Sequence, residues 1–189
     1  MRSFGLAVLT LFAVTLPVCG DEVKVGDKAP SFQVKDDTGE TWKSEEHFGK
    51  GITVVYFYPA DMTGGCTKQA CSYRDDSEAL KKLGVTVVGV SGDTVENHQA
   101  FKKEKELNFT LLADTEGKVA TAFGVPYTAG EKEFTTEIGG KKTTLVRALT
   151  TRRWTFVIDE NSKVIYKDDA VQAQEDSQKI IALVKSLKK

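Results

Sequence analysis

The sequence ITVVYFYPADMTGGCTKQAC, residues 52–71, carries most of the information about the fold. Residues 52–58 form an apolar, β-branched and aromatic run between Gly51 and Pro59, which is typical of a central strand buried on both faces. A loop of small residues follows, and Cys66 then lies where a helix is predicted to begin. Backbone N–H groups at a helix N-terminus are unpaired and carry partial positive charge, so they push a thiol toward the reactive thiolate. The segment therefore predicts a strand, a loop and a helix that present a reactive cysteine.

The residues just before Cys66 fit a site for a small substrate. Gly64 and Gly65 let the backbone approach a substrate closely, and Thr63 carries a hydroxyl that donates or accepts a hydrogen bond. The other interpretation is a structural thiol with Thr63 as a helix cap, because free cysteines are usually buried and inert. The end of the strand, the two glycines and the second cysteine, Cys71, favour the reactive site.

Strand and helix patterns alternate on either side of this segment. The predicted strands and helices are, in chain order, strands at 32–34 and 41–42, a helix at 72–83, a strand at 85–90, a helix at 95–106 and a strand at 109–112. Two hairpins at 134–149 and 154–166 and a helix at 172–187 complete the chain. Alternation of this kind implies parallel strands joined by right-handed crossovers. The order βαβα followed by ββα predicts an α/β, thioredoxin-like fold with a central mixed β-sheet flanked by helices.

The first twenty residues have the pattern of a signal peptide. Arg2 gives a positive start, residues 4–18 are apolar or small apart from threonines, and the stretch ends in Gly20. It is too short for a comfortable membrane span, so no stable membrane insertion is expected after cleavage. The bulky Val18 argues against a lipid anchor at Cys19. We therefore expect an exported chain, periplasmic or secreted, with one domain at 21–189.

Composition excludes several classes of function. The chain has 26 basic and 27 acidic residues, so net charge predicts no attraction to nucleic acid. Its three cysteines are too few for a disulfide scaffold, and its two histidines are too few for a histidine-rich metal site. Neither histidine has a partner at catalytic or ligand spacing, and we expect both His47 and His98 at the surface. No cofactor and no metal are predicted.

The segment resembles a known family. Pro59, Thr63 and Cys66 match the P-x-x-x-T-x-x-C signature of the peroxiredoxins, in the AhpC/TSA superfamily. Cys71, five positions after Cys66, resembles the subgroup called bacterioferritin comigratory protein or peroxiredoxin Q. The similarity continues through stretches 87–91, 109–114 and 153–159, and it covers nearly all of the chain after residue 20.

The resemblance implies a thiol peroxidase that acts on hydrogen peroxide and organic hydroperoxides. Cys66 would be the peroxidatic cysteine, Thr63 would hydrogen-bond the peroxide and Pro59 would shield the pocket from water. Arg153 would hold the thiolate and the developing charge of the leaving group; Arg152 competes for that role but does not match the family pattern. Cys71 would resolve the Cys66 sulfenic acid as an intramolecular disulfide, which thioredoxin or a similar dithiol protein reduces. For an exported chain a periplasmic dithiol carrier would serve. We expect a monomer or a weak dimer.

The spacing of the two cysteines poses a geometric problem. On a regular helix, residues five apart lie about 8.7 Å apart at Cα. A disulfide tolerates roughly 4.4 to 6.8 Å. We therefore predict that residues 64–71 unwind locally in each cycle.

Residues 127–151 depart from the family pattern, because they suggest a lengthened hairpin just before Arg153. This insertion could shape the pocket rim, the surface that docks the reductant or an oligomer contact. Two other functions stay open. A thioredoxin-like thiol-disulfide oxidoreductase would want a C-x-x-C motif, and a copper-binding chaperone on the same fold would need a later histidine, for which only His98 is available.

Overall fold

The computed structural model describes residues 22–188, and the predicted signal peptide at 1–20 lies outside them. The strands are β1 (Gln33–Asp36), β2 (Thr41–Lys43), β3 (Ile52–Phe57), β4 (Val85–Ser91), β5 (Thr110–Ala113), β6 (Tyr127–Ile138), β7 (Lys141–Thr151), β8 (Trp154–Ile158) and β9 (Val164–Asp168). The helices are α1 (Gly64–Asp75), α2 (Ser77–Lys82), α3 (Val95–Lys105), α4 (Lys118–Phe123) and α5 (Asp176–Leu187), with a short 3-10 turn at Ser44–Glu46.

Seven strands form one mixed sheet in the order β2-β1-β5-β4-β3-β8-β9. Strand β3 lies parallel to β4, and β4 lies parallel to β5. Strand β8 pairs with β3 in the antiparallel sense, with Phe57 opposite Trp154. This pairing brings the chain just before β8, at residues 152–153, to the same edge of the sheet as the loop that follows β3.

Strand β3 is buried on both faces, as its apolar run predicts. Val54 and Tyr56 pack in a cluster with residues of α1, α2, α3 and α5. Val55 and Phe57 point to the opposite face, where they pack with α4 and the N-terminal segment. Because successive residues of a strand face opposite sides, one strand supports both halves of the core.

The predicted helix at 72–83 is wrong in its bounds. The structure has two helices, α1 and α2, separated at Asp76. The carboxylate of Asp76 accepts hydrogen bonds from Ser177 Oγ at 2.6 Å and Gln178 Nε2 at 2.7 Å, both in α5. These contacts are more than a hundred residues away in sequence, so local patterns did not show them.

Helix α4, which was not predicted from the sequence, is only six residues long. The carboxylate of Asp114 accepts hydrogen bonds from the backbone N–H groups of Val119 and Ala120 at its start. Gly124 ends it in the left-handed region, with φ of 69°. A helix this short has too few apolar positions for its periodicity to be read from sequence.

The hairpin predicted around Gly139-Gly140 is confirmed and is longer than expected. Strands β6 and β7 pair from Tyr127–Thr151 to Ile138–Lys141, with a bulge after Ala129. Both turn glycines have positive φ, 56° and 76°, as a tight two-residue hairpin turn requires. The hairpin forms a sheet of its own beside the main one. Within residues 22–188 no helix is long and apolar enough to cross a membrane.

Candidate active site

Cys66 lies in the first turn of α1, two residues after the helix begins at Gly64. Its side chain is buried, with 2% of the residue exposed. The guanidinium of Arg153 donates a hydrogen bond from Nη2 to Cys66 Sγ at 3.2 Å. An added Cβ at Gly65 would lie 3.4 Å from Arg153 Nη2, so this glycine gives the guanidinium room beside the helix. The thiol thus lies at a helix N-terminus and beside the fixed positive charge of Arg153.

The two adjacent arginines between β7 and β8 have different environments. Arg153 is half-buried, and besides Cys66 it contacts Gln69, to which its Nη1 donates. Arg152 is exposed, and its backbone N–H donates to Pro126 O at 2.9 Å. Only Arg153, of this pair, is in hydrogen-bond contact with the cysteine.

The loop between β3 and α1 carries Pro59 and Thr63. Thr63 occupies the N-cap position of α1, but its hydroxyl donates to Ala60 O at 3.0 Å and accepts no hydrogen bond from the helix. The helix-cap interpretation of this hydroxyl is therefore wrong, and its lone pairs are not used by α1. Met62, just before it, is a non-glycine residue with φ of 61°, a conformation that persists only where its surroundings impose it.

A buried polar cluster is built around Asp61, the residue before Met62, and it contains a histidine that we expected at the surface. His98 is fully buried rather than at the surface, and its Nδ1 lies 2.8 Å from Asp61 Oδ2. The other Asp61 oxygen accepts from Tyr58 OH at 2.7 Å, and the Asp61 backbone N–H donates to Asp93 at 2.9 Å. Burial lowers the pKa of His98, but the carboxylates of Asp61 and Asp93 and the backbone of Leu112 together outweigh burial, and the net direction is upward. Asp61 and His98 are 37 residues apart, so no local spacing indicated the pair.

A second buried carboxylate lies on the other side of α1. Asp176, the first residue of α5, is fully buried, and its Oδ2 accepts from Gln69 Nε2 at 2.7 Å. Tyr73 OH and Thr155 Oγ1 donate to the same oxygen, each at 2.8 Å. Burial raises the pKa of Asp176, and the three donors oppose that rise.

A cavity of about 660 Å³ lies beside Arg153. It is lined by Pro59, by both arginines and by residues at the base of the hairpin: Pro126, Tyr127, Thr128, Thr150 and Thr151. Thr151 also donates its hydroxyl to Tyr58 O at 2.8 Å, which ties the base of the hairpin to the end of β3. The hairpin at 127–151 therefore contributes one wall of this cavity.

Comparison with known proteins identifies the family. The family model described as the AhpC/TSA family matches residues 25–167. This chain belongs to the AhpC/TSA family. The resemblance predicted from residues 59–71 is thus confirmed.

Relatives within the AhpC/TSA family carry the names that the subgroup resemblance predicted. A chloroplastic peroxiredoxin Q of Populus jackii is 50% identical over 105 residues, which are 56% of this chain and 49% of that protein. Peroxiredoxin Bcp of Bacillus subtilis (strain 168) is 41% identical over 143 residues, 76% of this chain and 83% of that protein. The chain thus spans about half the length of the plant relative.

A solved structure confirms the predicted thioredoxin-like α/β fold. The crystal structure of peroxidoxin BcpB from Mycobacterium tuberculosis superposes with a TM-score of 0.73 at 30% identity. The superposition covers 88% of this chain and 99% of that one.

Of the residues matched to the peroxiredoxin signature, the structure brings Cys66 and Arg153 into direct contact. Pro59 lines the cavity beside Arg153, and Thr63 lies in the same loop. Cys71 is in the same unbroken helix as Cys66, and both thiols are free. The five-residue separation therefore has regular helical geometry, and the two Cα atoms are about 8.7 Å apart.

Two further residues belong to this site, and neither was predicted from the sequence. Gln69 bonds to Arg153, and Asp176 bonds to Gln69. Gln69 lies three residues after Cys66, so the predicted helix could have placed it beside the cysteine. Asp176 is 107 residues from Gln69, and no sequence signal indicated it.

Proposed function

We propose that this chain is a thiol-dependent peroxidase that reduces hydrogen peroxide and organic hydroperoxides to water or alcohols. The observation that carries the proposal is the hydrogen bond from Arg153 to the sulfur of a buried cysteine at a helix N-terminus. Arginine stays charged at any working pH and presents several donors in one plane, so it keeps a thiolate beside it. The named peroxiredoxin relatives support the same activity.

In the proposed reaction the Cys66 thiolate attacks one oxygen of the peroxide. The S–O bond forms as the O–O bond breaks, sulfur is oxidised to sulfenic acid, and the departing oxygen leaves as water or an alcohol after taking a proton. Arg153 stabilises the charge that develops on that oxygen. Thr63 hydrogen-bonds the peroxide, and Pro59 shields the pocket from water.

In the second half of the cycle the Cys71 thiolate attacks the sulfur of the Cys66 sulfenic acid. The S–S bond forms as the S–O bond breaks, and the departing oxygen leaves as water after taking a proton. Thioredoxin or a similar dithiol protein then reduces the disulfide. Since both cysteines lie in α1, at a Cα separation of about 8.7 Å, this step needs α1 to unwind at its start.

Cysteine variants test the proposal. Cys66→Ser is expected to abolish peroxide turnover with dithiol reductant, because no thiolate remains at the helix N-terminus. Cys71→Ser is expected to allow one oxidation of Cys66, to block recycling and to expose Cys66 to over-oxidation. Steady-state peroxide consumption by the Cys66 variant would contradict the proposal.

The mass of the intact chain distinguishes the two-cysteine cycle from a one-cysteine cycle. After one equivalent of hydrogen peroxide under non-reducing conditions, the mass is expected to fall by two hydrogens, with Cys66 linked to Cys71 in one peptide pair. A stable sulfenic or sulfinic mass on Cys66 would instead indicate that Cys71 does not resolve it.

Neither alternative function has an observation in its favour. A thiol-disulfide oxidoreductase uses a C-x-x-C pair, whereas Cys66 and Cys71 are five residues apart. The histidine that a copper chaperone would need, His98, is buried and engaged with Asp61. Copper titration and reduction of a protein disulfide are the assays that separate these functions from peroxide consumption.

The location and assembly of the chain are part of the proposal. The N-terminal sequence supports export with cleavage after Gly20, to the periplasm or outside the cell. The Populus relative is named chloroplastic, which raises the alternative of a transit peptide. Transit peptides are rich in arginine and serine, but residues 1–20 contain one of each. A mature chain that begins at Asp21 would support export, and light scattering would test for a monomer or weak dimer.

A further inference from the structure

Asp176, a fully buried carboxylate, holds one side of α1 through a single oxygen. The donors to its Oδ2 come from two other elements: Gln69 and Tyr73 from α1, and Thr155 from β8. Asp176 is also the first residue of α5, where the partial positive charge of the helix N-terminus favours an anion. A buried carboxylate with these partners is a strong and directional acceptor.

The amide of Gln69 has two chemically different ends, and each faces a different charged group. Its Nε2 donates to Asp176 at 2.7 Å, and its Oε1 accepts from Arg153 Nη1. A guanidinium only donates and a carboxylate only accepts, so a single orientation of the amide satisfies both. The acceptor at Asp176 therefore determines that the carbonyl of Gln69 faces Arg153.

The other end of the guanidinium completes a continuous chain of contacts. With Nη1 held by Gln69, Arg153 directs Nη2 to Cys66 Sγ at 3.2 Å. Each hydrogen bond from Asp176 to Cys66 then has one defined donor and one defined acceptor. The planar guanidinium is held at both of its terminal nitrogens.

We propose that Asp176 is a positioning residue for Arg153, acting through the orientation of the Gln69 amide and so promoting the reactivity of the Cys66 thiolate. The proposal rests on the proposed function only in taking Arg153 to act on the reacting sulfur. This positioning role differs from a simple anchoring role, in which Asp176 would hold α1 against α5 through any of its hydrogen bonds.

The reactivity of Cys66 toward iodoacetamide, measured as a function of pH, tests this proposal without peroxide. Lys68 lies between the two cysteines, so trypsin separates them and the alkylation of Cys66 is read from its own peptide. Asp176→Leu is expected to lower the rate of Cys66 alkylation at neutral pH about tenfold. A tenfold change corresponds roughly to the free energy that one hydrogen bond to a charged group contributes. Asp176→Asn keeps a neutral acceptor, so we expect a smaller loss in the same direction, and this variant serves if the leucine variant does not fold.

Two comparisons separate positioning from anchoring. Tyr73→Phe removes a hydrogen bond to the same Asp176 oxygen from the same helix but leaves Gln69 in place, so the pH profile of Cys66 is expected to stay unchanged. In a Gln69→Leu background, Asp176→Leu is expected to cause no further loss, because the residue through which it acts is gone. Equal losses in Tyr73→Phe and Asp176→Leu, or additive losses in the double variant, would overturn the proposal.

A matched control and the peroxide assay complete the test. Asp114→Asn alters another buried carboxylate, whose hydrogen bonds are to the start of α4, and it is expected to leave Cys66 alkylation unchanged. If the wild type consumed no peroxide while alkylation of Cys66 still depended on Asp176 through Gln69, the proposed function would fail and the positioning role would stand. If the wild type consumed peroxide but alkylation did not depend on Asp176, the positioning role alone would fail.

Discussion

Arg153 differs from a surface arginine because two of its nitrogens donate hydrogen bonds to other side chains. An exposed ion pair contributes about 0–1 kcal/mol, because the side chain has many alternatives in water. Arg153 is half-buried, and separate nitrogens bond to Cys66 and Gln69. The rigid plane of the guanidinium converts these two contacts into one defined direction toward the sulfur.

Arg153→Lys is expected to lower the second-order rate constant of Cys66 oxidation by peroxide about 10²-fold, the usual effect of losing one donor to a developing oxyanion. Lysine keeps the charge but concentrates its donors at one nitrogen, so it cannot bridge Gln69 and Cys66 in the same geometry. Arg152→Lys is the matched control and should change the rate little, because Arg152 is exposed. A comparable loss in both variants would show that overall charge, rather than the Arg153 contact, sets the rate.

Helix α1 is weakly stabilised at its beginning and is held by tertiary contacts toward its end. Its first two residues are glycines, which disfavour helix, and Thr63 does not cap it with its hydroxyl. Beyond residues 64–71 the helix is held by the buried Tyr73, whose hydroxyl donates to Asp176. An opening that is confined to the first turns can therefore bring Cys71 toward Cys66 while the end of the helix remains packed.

We expect amide exchange to reveal this opening. In the disulfide form, residues 64–71 should lose protection relative to the reduced form, because a bonded pair five residues apart is incompatible with regular helix. Helix α3 serves as the internal control and should exchange equally in both forms. Identical protection of residues 64–71 in the two forms would exclude local unwinding.

Gly64→Ala tests the same step through its rate. An added Cβ at Gly64 has no heavy atom within 4 Å, so the substitution should favour helix without a clash. A stabilisation of about 0.5–1 kcal/mol is expected to slow disulfide formation after oxidation about twofold to fivefold. The first oxidation of Cys66 is expected to keep its rate, and the two phases are separated by rapid mixing with peroxide. A disulfide phase as fast as in the wild type would contradict the argument.

The fold as a whole joins three separate segments around the loop of Pro59 and Thr63. His98 of α3 bonds to Asp61 in that loop, and Asp93 bonds to its backbone. Asn97 connects the same cluster to the hairpin, donating to Asp93 at 3.1 Å and to Val146 O at 2.9 Å. The strained Met62 thus directly follows Asp61, a residue held by hydrogen bonds from α3 and to the segment after β4.

His98→Leu is expected to lower the free energy of unfolding by about 3–5 kcal/mol, because it leaves the carboxylate of Asp61 buried without its partner. Denaturant unfolding measures this loss. His47→Leu is the control, because His47 is exposed and stacks on Trp42 with ring centroids 4.3 Å apart. That variant is expected to lose under about 1 kcal/mol, and an equal loss in both variants would contradict the role of the buried pair.

The contribution of His98 should also depend on pH. Its pKa is raised above the ordinary value of 6.5, so protonation is favoured in the folded state. The resulting stabilisation is fully present below pH 6.5 and is lost as the pH rises through the raised pKa. The difference in unfolding free energy between wild type and His98→Leu should therefore shrink from acidic to alkaline pH. A difference that grew with pH would contradict this protonation state.

Much of the site was predictable because its main parts are close together in sequence. Pro59, Thr63 and Cys66 occupy one strand–loop–helix unit, so their relative placement follows from local geometry. Arg153 was matched by pattern, and β8 pairs with β3 so that the arginine lies at the same edge as the cysteine. Short or interrupted elements were harder to predict, as α4 and the break at Asp76 show, because their ends depend on hydrogen bonds to distant segments.

From the sequence alone, the α/β order, the buried central strand, the cysteine at the start of a helix and the family pattern could all be derived. These features depend on periodicity and on residues that are neighbours along the chain. The partners of the buried charges came only from the folded chain: Asp61 with His98, and Asp176 with Gln69. A charged residue in a sequence looks like a surface residue until packing removes water from it, and only the packed structure determines which distant group replaces that water.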